Sequence, residues 1–231
     1  MTRLGQHPDP SHTIAHFSDP HLLATGRRLY GSVDTRAHLA DAIAQLERSE
    51  LKPDAIVFTG DLADLGEPDA YEHLRDLVRP AAERMGSKLI WVMGNHDERA
   101  PDASALFGDA GPDGAGANAP QDRVYDVNGL RVVVLDTSVP GYHHGALLPS
   151  QLDWLRDVLA TPAEHGTIIA LHHPPVPTPL NFPMAILELD DQDAFADVVR
   201  GTDVRGILGG HLHHSTHSTF AGVPVSVASA T

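Results

Sequence analysis

Five apolar runs in this sequence end in a side chain able to bind a metal ion. HTIAHFSD (12–19) ends at Asp19, with His21 two residues on. DAIVFTGD (54–61) ends at Asp61, and KLIWVMGNHD (88–97) ends in Asn95, His96 and Asp97. The IIALHH run ends at His172 and the GILGGH run at His211, with His213 two residues further. One or two such endings arise by chance; five point to a shared site, because ligands in open α/β sheets sit outside the carboxyl ends of strands. Asp19 and Asp61, Asn95, and His21, His172, His211 and His213 together give two carboxylates, one amide and four imidazoles. The chain has no cysteine, so any metal is held by nitrogen and oxygen, a set that suits Mn, Fe, Co or Zn rather than calcium. The pairs Asp19-x-His21 and His211-x-His213 lie about 6.6 Å apart if the chain is extended. Each pair could then straddle two metals about 3.5–4 Å apart, or converge on one if the chain bends.

Charge sharpens this reading. The formal charge is −15, from 31 acidic and 16 basic residues, which argues against a general nucleic-acid surface. Two carboxylates bring about two negative charges to the proposed site, and two metal ions bring about four or five positive ones. The site is thus cationic inside an acidic protein, and a phosphate can bind there without an arginine clamp.

The elements that must position these groups alternate. Leu39, Ile43 and Leu46 recur at helical spacing in 33–50, with Asp34 as N-cap. A second helix over 67–86 opens at Pro68, places Tyr71, Leu74, Leu77, Val78 and Ala81 on one face, and stops at Gly86. DRVYDV and LRVVVLD flank Asn128-Gly129, a hairpin signal. A helix over 150–160 has Ser150 and Asp153 in capping-box positions, and another helix covers 190–201. Residues 166–174 and 204–211 read as strands, and 218–229 as a hairpin. The stretches 108–120 and 174–183 are too rich in glycine or proline for regular elements. No repeat or linker divides the chain, so residues 1–231 are expected to form one domain, with 1–11 a flexible terminus. The expected class is α/β, with parallel strands covered on both faces.

At these residues the chain resembles the calcineurin-like metallophosphoesterases. Asp19-x-His21, Gly60-Asp61, Gly94-Asn95-His96-Asp97, His172 and Gly210-His211-x-His213 reproduce the five blocks of that family's signature in order. RRLYGSVD, PDAIVFTGDLAD, WVMGNHD, VLDTSVPG, LHHPP and GVPVSVASAT are similar to its class III cyclic-nucleotide phosphodiesterase branch. The resemblance implies a four-layer αββα sandwich of two facing mixed sheets. It implies that Asp19, His21 and His213 hold one metal, that Asn95, His172 and His211 hold the other, and that Asp61 bridges them. It places His96 beside the scissile phosphate, oriented by Asp97. Manganese or iron is expected, with zinc or cobalt as alternatives. Family members usually continue with further strands beyond the position of Thr231, so those strands are expected to be missing and a sheet edge left open. The resemblance allows a homodimer.

The implied reaction is hydrolysis of a 3′,5′-cyclic nucleotide, cAMP to 5′-AMP, by a hydroxide bridging the two metals, because metals depress the pKa of bound water to about 7 in favourable sites. Two alternatives stay open: a broader phosphodiesterase, 2′,3′-cyclic-nucleotide hydrolase or phosphomonoesterase, and a non-catalytic metal or nucleotide binder. The ligand set is common to all of them, because specificity resides in loops.

The remaining candidates have plainer readings. His173, His214 and His217 read as bystanders, His16 as a buried hydrogen-bonded residue, and His143 and His144 as solvated loop residues. Arg99 either reaches substrate or is simply exposed, and Phe182 and Met184 either cover a base or stiffen a connection. The N-terminal MTRLGQHPDPSH lacks an apolar signal core, and no run approaches the roughly 20 apolar residues of a membrane span. A cytoplasmic location is expected.

Overall fold

The computed structural model describes residues 6, 9–107, 119–178 and 182–231. Most of the flexible terminus expected at 1–11, and most of the loop at 108–120, lie outside the described residues. Three parallel strands, β1 (Ile14–Phe17), β2 (Ala55–Thr59) and β3 (Lys88–Val92), form one sheet in that order. A second sheet holds β4 (Arg123–Val127), β5 (Leu130–Leu135), β6 (Thr167–Leu171), β7 (Val204–Gly209), β8 (Thr216–Phe220) and β9 (Val223–Val227), ordered β4-β5-β6-β7-β9-β8. Its interior β5, β6, β7 and β9 are mutually parallel, and the hairpin partners β4 and β8 run antiparallel at the two edges.

The strands are apolar on both faces because both faces are covered. Successive side chains point opposite ways. In β2, Ile56 and Phe58 face outward onto α1 (Thr35–Arg48) and α2 (Pro68–Met85), where Leu39, Ile43, Tyr71, Leu74 and Val78 are buried. Ala55 and Val57 face inward with Ile90 and Val92, against Val132, Val134 and Ala170 of the second sheet. The far face of that sheet, with Val133, Leu135, Ile169, Leu171 and Ile207, packs on α4 (Pro149–Leu159) and α5 (Gln192–Val199) through Leu155, Leu159, Phe195 and Val198. The layering is therefore helix, sheet, sheet, helix, as the resemblance implied.

Local signals translate directly at several ends. The Asp34 carboxylate accepts from the Ala37 N–H at 3.0 Å, and Gly86 closes α2 at φ 75°. The Asn128-Gly129 turn and the Ala221-Gly222 turn join the two hairpins. The start of α4 differs from expectation: the helix begins at Pro149, and the Gln151 side-chain carbonyl accepts from the Leu148 N–H at 2.9 Å. Gln151 is buried and its amide also donates to Asp122 and to the Asp136 carbonyl, so it outcompetes the exposed Ser150. A four-residue helix, α3 (Arg99–Asp102), and a 3₁₀ turn over Phe182–Leu187 carry no periodic signal and were not expected from the sequence. After β9 the chain leaves the second sheet: Ala230 bridges Ser18, and the Thr231 N–H donates to the Ser18 carbonyl at 3.1 Å. The outermost strand on that side is β8, whose His217, Ser218 and Thr219 are exposed.

Candidate metal centre

The carboxyl ends of β1, β2 and β3 face those of β6 and β7 across the gap between the sheets. There the backbone turns abruptly. Asp19, His21, Asp61, His211 and His213 all have positive φ, at 52°, 43°, 48°, 67° and 56°. Such a conformation costs non-glycine residues of order 1–3 kcal/mol each and persists only where the surroundings impose it. Here neighbouring backbone imposes it: Asp19 N–H donates to Gly60 O at 3.1 Å, His21 N–H to Asp61 O at 3.0 Å, and Leu22 N–H to Leu62 O at 3.0 Å. The Asp19 carboxylate in turn accepts from the His211 N–H at 3.0 Å, tying the two sheets together. Gly94 and Gly210 let these segments approach. A Cβ on Gly94 would overlap the Asp61 carboxylate, and one on Gly210 would overlap Ser18 Oγ and the Asp19 carboxylate. Neither histidine-bearing pair is extended. The first pair, Asp19 and His21, converges on one cluster, whereas His211 and His213 diverge into two.

In the first cluster, Asp19, His21, Asp61 and His213 each offer one ligand atom, all within 4.8 Å of one another. His21 Nε2 and His213 Nε2 are 3.1 Å apart, His213 Nε2 is 3.3 Å from Asp19 Oδ1, and His21 Nε2 is 3.6 Å from Asp61 Oδ2. In the second, His172 Nε2 lies 3.1 Å from His211 Nδ1, 3.2 Å from Asn95 Oδ1 and 3.4 Å from the same Asp61 Oδ2. Asp61 thus touches both. All seven residues predicted from the sequence meet here. With metal–ligand bonds of about 2.0–2.2 Å, the edges of a tetrahedron or octahedron of ligands are roughly 3.0–3.5 Å, which is the spacing observed. These His/Asp clusters fit a pair of ions.

Histidine must be neutral to ligate, and without an ion the four imidazoles divide: burial favours the neutral form of His21 and His211, while the carboxylates favour the charged form of His172 and His213. Burial pushes His21 down, and burial with the charge of His172 pushes His211 down to about 3. Burial would raise the Asp61 carboxyl, but the adjacent His172, His21 and His96 hold it well below the usual carboxylate range. Burial likewise disfavours charge on His172, yet Asp61 and Asp19 push it up to about 9. The hydrogen bond from His213 to Asp19 raises His213. The His172 Nδ1–H donates to the Thr59 carbonyl at 2.7 Å, which fixes the tautomer and turns Nε2 toward Asp61.

Around this centre several residues differ from their expected roles. Among the described residues no hydrogen bond or ion pair joins Asp97 to the His96 ring. Its buried carboxylate accepts from the N–H groups of Leu62, Ala63 and Gly94 and from the Tyr71 hydroxyl, at 2.8–3.1 Å. Burial, then the charge of Asp61, pushes it up to about 7. It staples the turn after β2 to the turn after β3. His96 is instead held by Nδ1, which donates to the Asp64 carbonyl at 2.8 Å, while its N–H donates to Asp61 Oδ1 at 2.9 Å. The Asp64 carboxylate, three residues past Asp61, accepts from His21 Nδ1 at 3.1 Å. Reading the apolar runs missed it, although a second acid in GDLAD was the available signal.

The remaining histidines divide. His143 is exposed, yet its Nδ1 lies 3.2 Å from Asn95 Nδ2, so the loop folds back onto the site. His173 is fully buried, 4.5 Å ring to ring from His211, and is held by Thr137 Oγ1 and the His143 carbonyl. His16 is half-buried against Thr59 Oγ1 at 2.9 Å, as expected, and His217 is exposed. His214 contacts only the Leu212 carbonyl in the described structure. Arg99 is neither free nor simply exposed: it pairs with Asp136 at 2.8 Å. The Phe182 side chain lies outside the described residues.

Comparison with known proteins agrees with this geometry. The chain is 56% identical, over 99% of its length and 70% of the relative's, to a cAMP/cGMP dual specificity phosphodiesterase of Mycobacterium tuberculosis. It is 34% identical, over 89% of its length and 71% of the relative's, to the 3′,5′-cyclic adenosine monophosphate phosphodiesterase CpdA of Pseudomonas aeruginosa. Its fold superposes on a dimetal phosphatase from Danio rerio with a TM-score of 0.67 at 18% identity, covering 96% of this chain and 88% of that one. Residues 12–215 match the model of the calcineurin-like phosphoesterases, and the chain belongs to that family.

Proposed function

We propose that this protein hydrolyses 3′,5′-cyclic nucleotides to 5′-monophosphates at a two-metal centre. Asp19, His21 and His213 would hold one ion, Asn95, His172 and His211 the other, and Asp61 both. The observation that carries the reading is the joint one: Asp61 Oδ2 lies within 3.6 Å of an imidazole nitrogen from each sheet, and the 56% identical relative is named for cAMP and cGMP. Bound there, two first-row ions would supply an activated water and positive charge for the non-bridging phosphate oxygens. Manganese or iron suits the mixed carboxylate and imidazole set.

The chain's own residues then account for the rest. In the net reaction a water oxygen bonds to phosphorus, the P–O3′ bond breaks, and a proton ends on O3′. His96 is placed to deliver that proton. Its Nδ1 is committed to the Asp64 carbonyl, which leaves Nε2 as the edge available to the leaving oxygen, and its side chain is 35% exposed, enough to be reached. Asp97 acts at one remove, by fixing the turn that carries Asn95 and His96. The location we infer is the cytoplasm, where such a substrate is found. Among the described residues no helix is long and apolar enough to cross a membrane.

The test compares turnover of 3′,5′-cAMP, 2′,3′-cAMP and an aryl phosphomonoester by Mn²⁺-loaded protein. Preference for 3′,5′-cAMP is expected. Activity confined to the other two would replace the substrate, and metal uptake with no turnover of any ester would make the protein a binder.

A further inference from the structure

Among the hollows lined by described residues, one of about 290 Å³ shares walls with the metal centre: Asn95 and Asp97 form one end of it. The rest is built from Glu98, Arg99 and the loop Ser138–Gly141. Two of these residues, Arg99 and Ser138, are already engaged by Asp136. Asp136, fully buried in its side chain, accepts from Arg99 Nε at 2.8 Å and from the Gln121 N–H at 3.0 Å through one oxygen. Through the other it accepts from the Ser138 N–H at 3.0 Å and hydroxyl at 2.6 Å. Arg99 also donates to the Ser138 carbonyl at 3.1 Å. The arginine charge is therefore spent within the protein and does not call for a second anion. Val139, Pro140 and Gly141 give the opposite wall an apolar, stiff surface.

The carboxylate of Glu98 is the exception in this hollow. Glu98 is exposed, and its carboxylate has no hydrogen bond or ion pair among the described residues. Its stem is packed against Gly66, which sits at φ +64° with no room for a Cβ beside the Glu98 side chain. Its N–H is held by the Tyr71 hydroxyl at 2.9 Å. The group is thus anchored at its base and open at its tip. An ionised carboxylate only accepts hydrogen bonds, so Glu98 favours an occupant that presents a donor over one with an anionic tail.

A 3′,5′-cyclic nucleotide with its phosphate in the metal centre has one free ribose hydroxyl, the 2′-OH, on the carbon adjacent to the one that bears the scissile 3′-oxygen. Glu98 is three residues from Asn95 in the same turn. We infer that this hollow seats the nucleoside, with Glu98 accepting from the ribose 2′-hydroxyl and Val139 and Pro140 against the base. This makes Glu98 a specificity-determining residue that favours ribonucleotides. The inference rests on the cyclic-nucleotide reading above.

The test is steady-state kinetics of Glu98→Gln and Glu98→Ala, saturated with Mn²⁺, on three diesters: 3′,5′-cAMP, 2′-deoxy-3′,5′-cAMP and bis(p-nitrophenyl) phosphate, which has no ribose. A hydrogen bond to a charged acceptor typically accounts for about tenfold or more in affinity. We expect KM for cAMP to rise about tenfold in Glu98→Ala and less in Glu98→Gln, with kcat within twofold, while the other two diesters are unaffected. An equal change on all three substrates, or none on cAMP, overturns the assignment of Glu98 and leaves the reaction standing. Wild-type protein that cleaves the aryl diester and neither cyclic nucleotide overturns both.

Discussion

His96 and Asp64 show how finely labour is divided at the level of single side chains. His96 stands at the rim with its ring 4.9 Å from that of His21, and with His21 and Asp64 it forms a further group of ligand atoms within 4.8 Å of one another. If it handles the proton of the leaving group, His96→Ala should lower kcat by about 10²–10⁴ while metal content, read by elemental analysis, stays at the wild-type level. Loss of metal instead would make it a ligand. Asp64 predicts the reverse pattern. Its carboxylate orients His21 through Nδ1, and partners of this kind are worth about 10–100-fold in metal affinity. In Asp64→Ala the His96 hydrogen bond survives, because it is made to the backbone carbonyl, and only the longer 3.7 Å approach to the carboxylate is lost. Turnover at limiting Mn²⁺ should therefore fall and recover as Mn²⁺ is raised; a deficit that saturating metal does not repair would count against the orienting role.

The elements matter through their ends. A carboxylate at the beginning of β4, Asp122, accepts from the Asp136 N–H at 2.8 Å and from the Gln151 side chain at 2.9 Å, so it joins the β4–β5 hairpin to the first turn of α4. Burial pushes it up to about 7. Between its unfolded value of about 4 and that folded value, the unfolded chain has lost the proton and the folded chain has kept it. Stability therefore declines as pH rises from about 4 to 7, by up to about 4 kcal/mol from this group, and the contribution is flat above. Asp122→Asn should flatten that part of the profile in urea unfolding at pH 4.5 and 7.5. An unaltered slope would place the titration elsewhere. The same reasoning about ends explains the one capping difference: Ser150 and Asp153 have the right spacing for a box, but Gln151 is the residue that the packing buries.

For the molecule as a whole, the candidate centre is a cross-link. Asp19, His21, Asp61 and Asn95 follow strands of the three-stranded sheet, while His172, His211 and His213 follow strands of the six-stranded one. Ions held between them bind the folded state and not the separated sheets. At Mn²⁺ concentrations about 100-fold above its dissociation constant, stabilisation should be about 2.7 kcal/mol per site. Thermal melts with Mn²⁺ and with chelator measure this, and an identical Tm in both would show that the centre does not bind the ion in the folded state. The five positive-φ residues belong to the same account. Their strain is tolerated because a tightly hydrogen-bonded junction between two sheets leaves no relaxed alternative.

How much was legible from residues alone follows from which interactions are local. Alternating apolar periodicity, the Asp34 cap, the Asn128-Gly129 turn and the Gly86 stop act over a few residues, so strands, helices and hairpins could be read directly. The seven candidate ligands were also legible, because five close apolar runs and His21 and His213 follow two residues on. Their allotment between two clusters required the signature of a family, since extended-chain spacing gives the wrong picture for segments that turn at φ 43–67°. Asp97 on the Leu62 and Ala63 N–H groups, Asp64 behind His21 and His143 folded back onto Asn95 join residues 34 to 48 positions apart, and the hollow beside Glu98 is lined from separate loops. Pairing of neighbouring strands in the first sheet brings Asp64 to His21 and Asp97 to Leu62 and Ala63, and the packing of one sheet against the other brings His143 to Asn95; no local pattern encodes those distances.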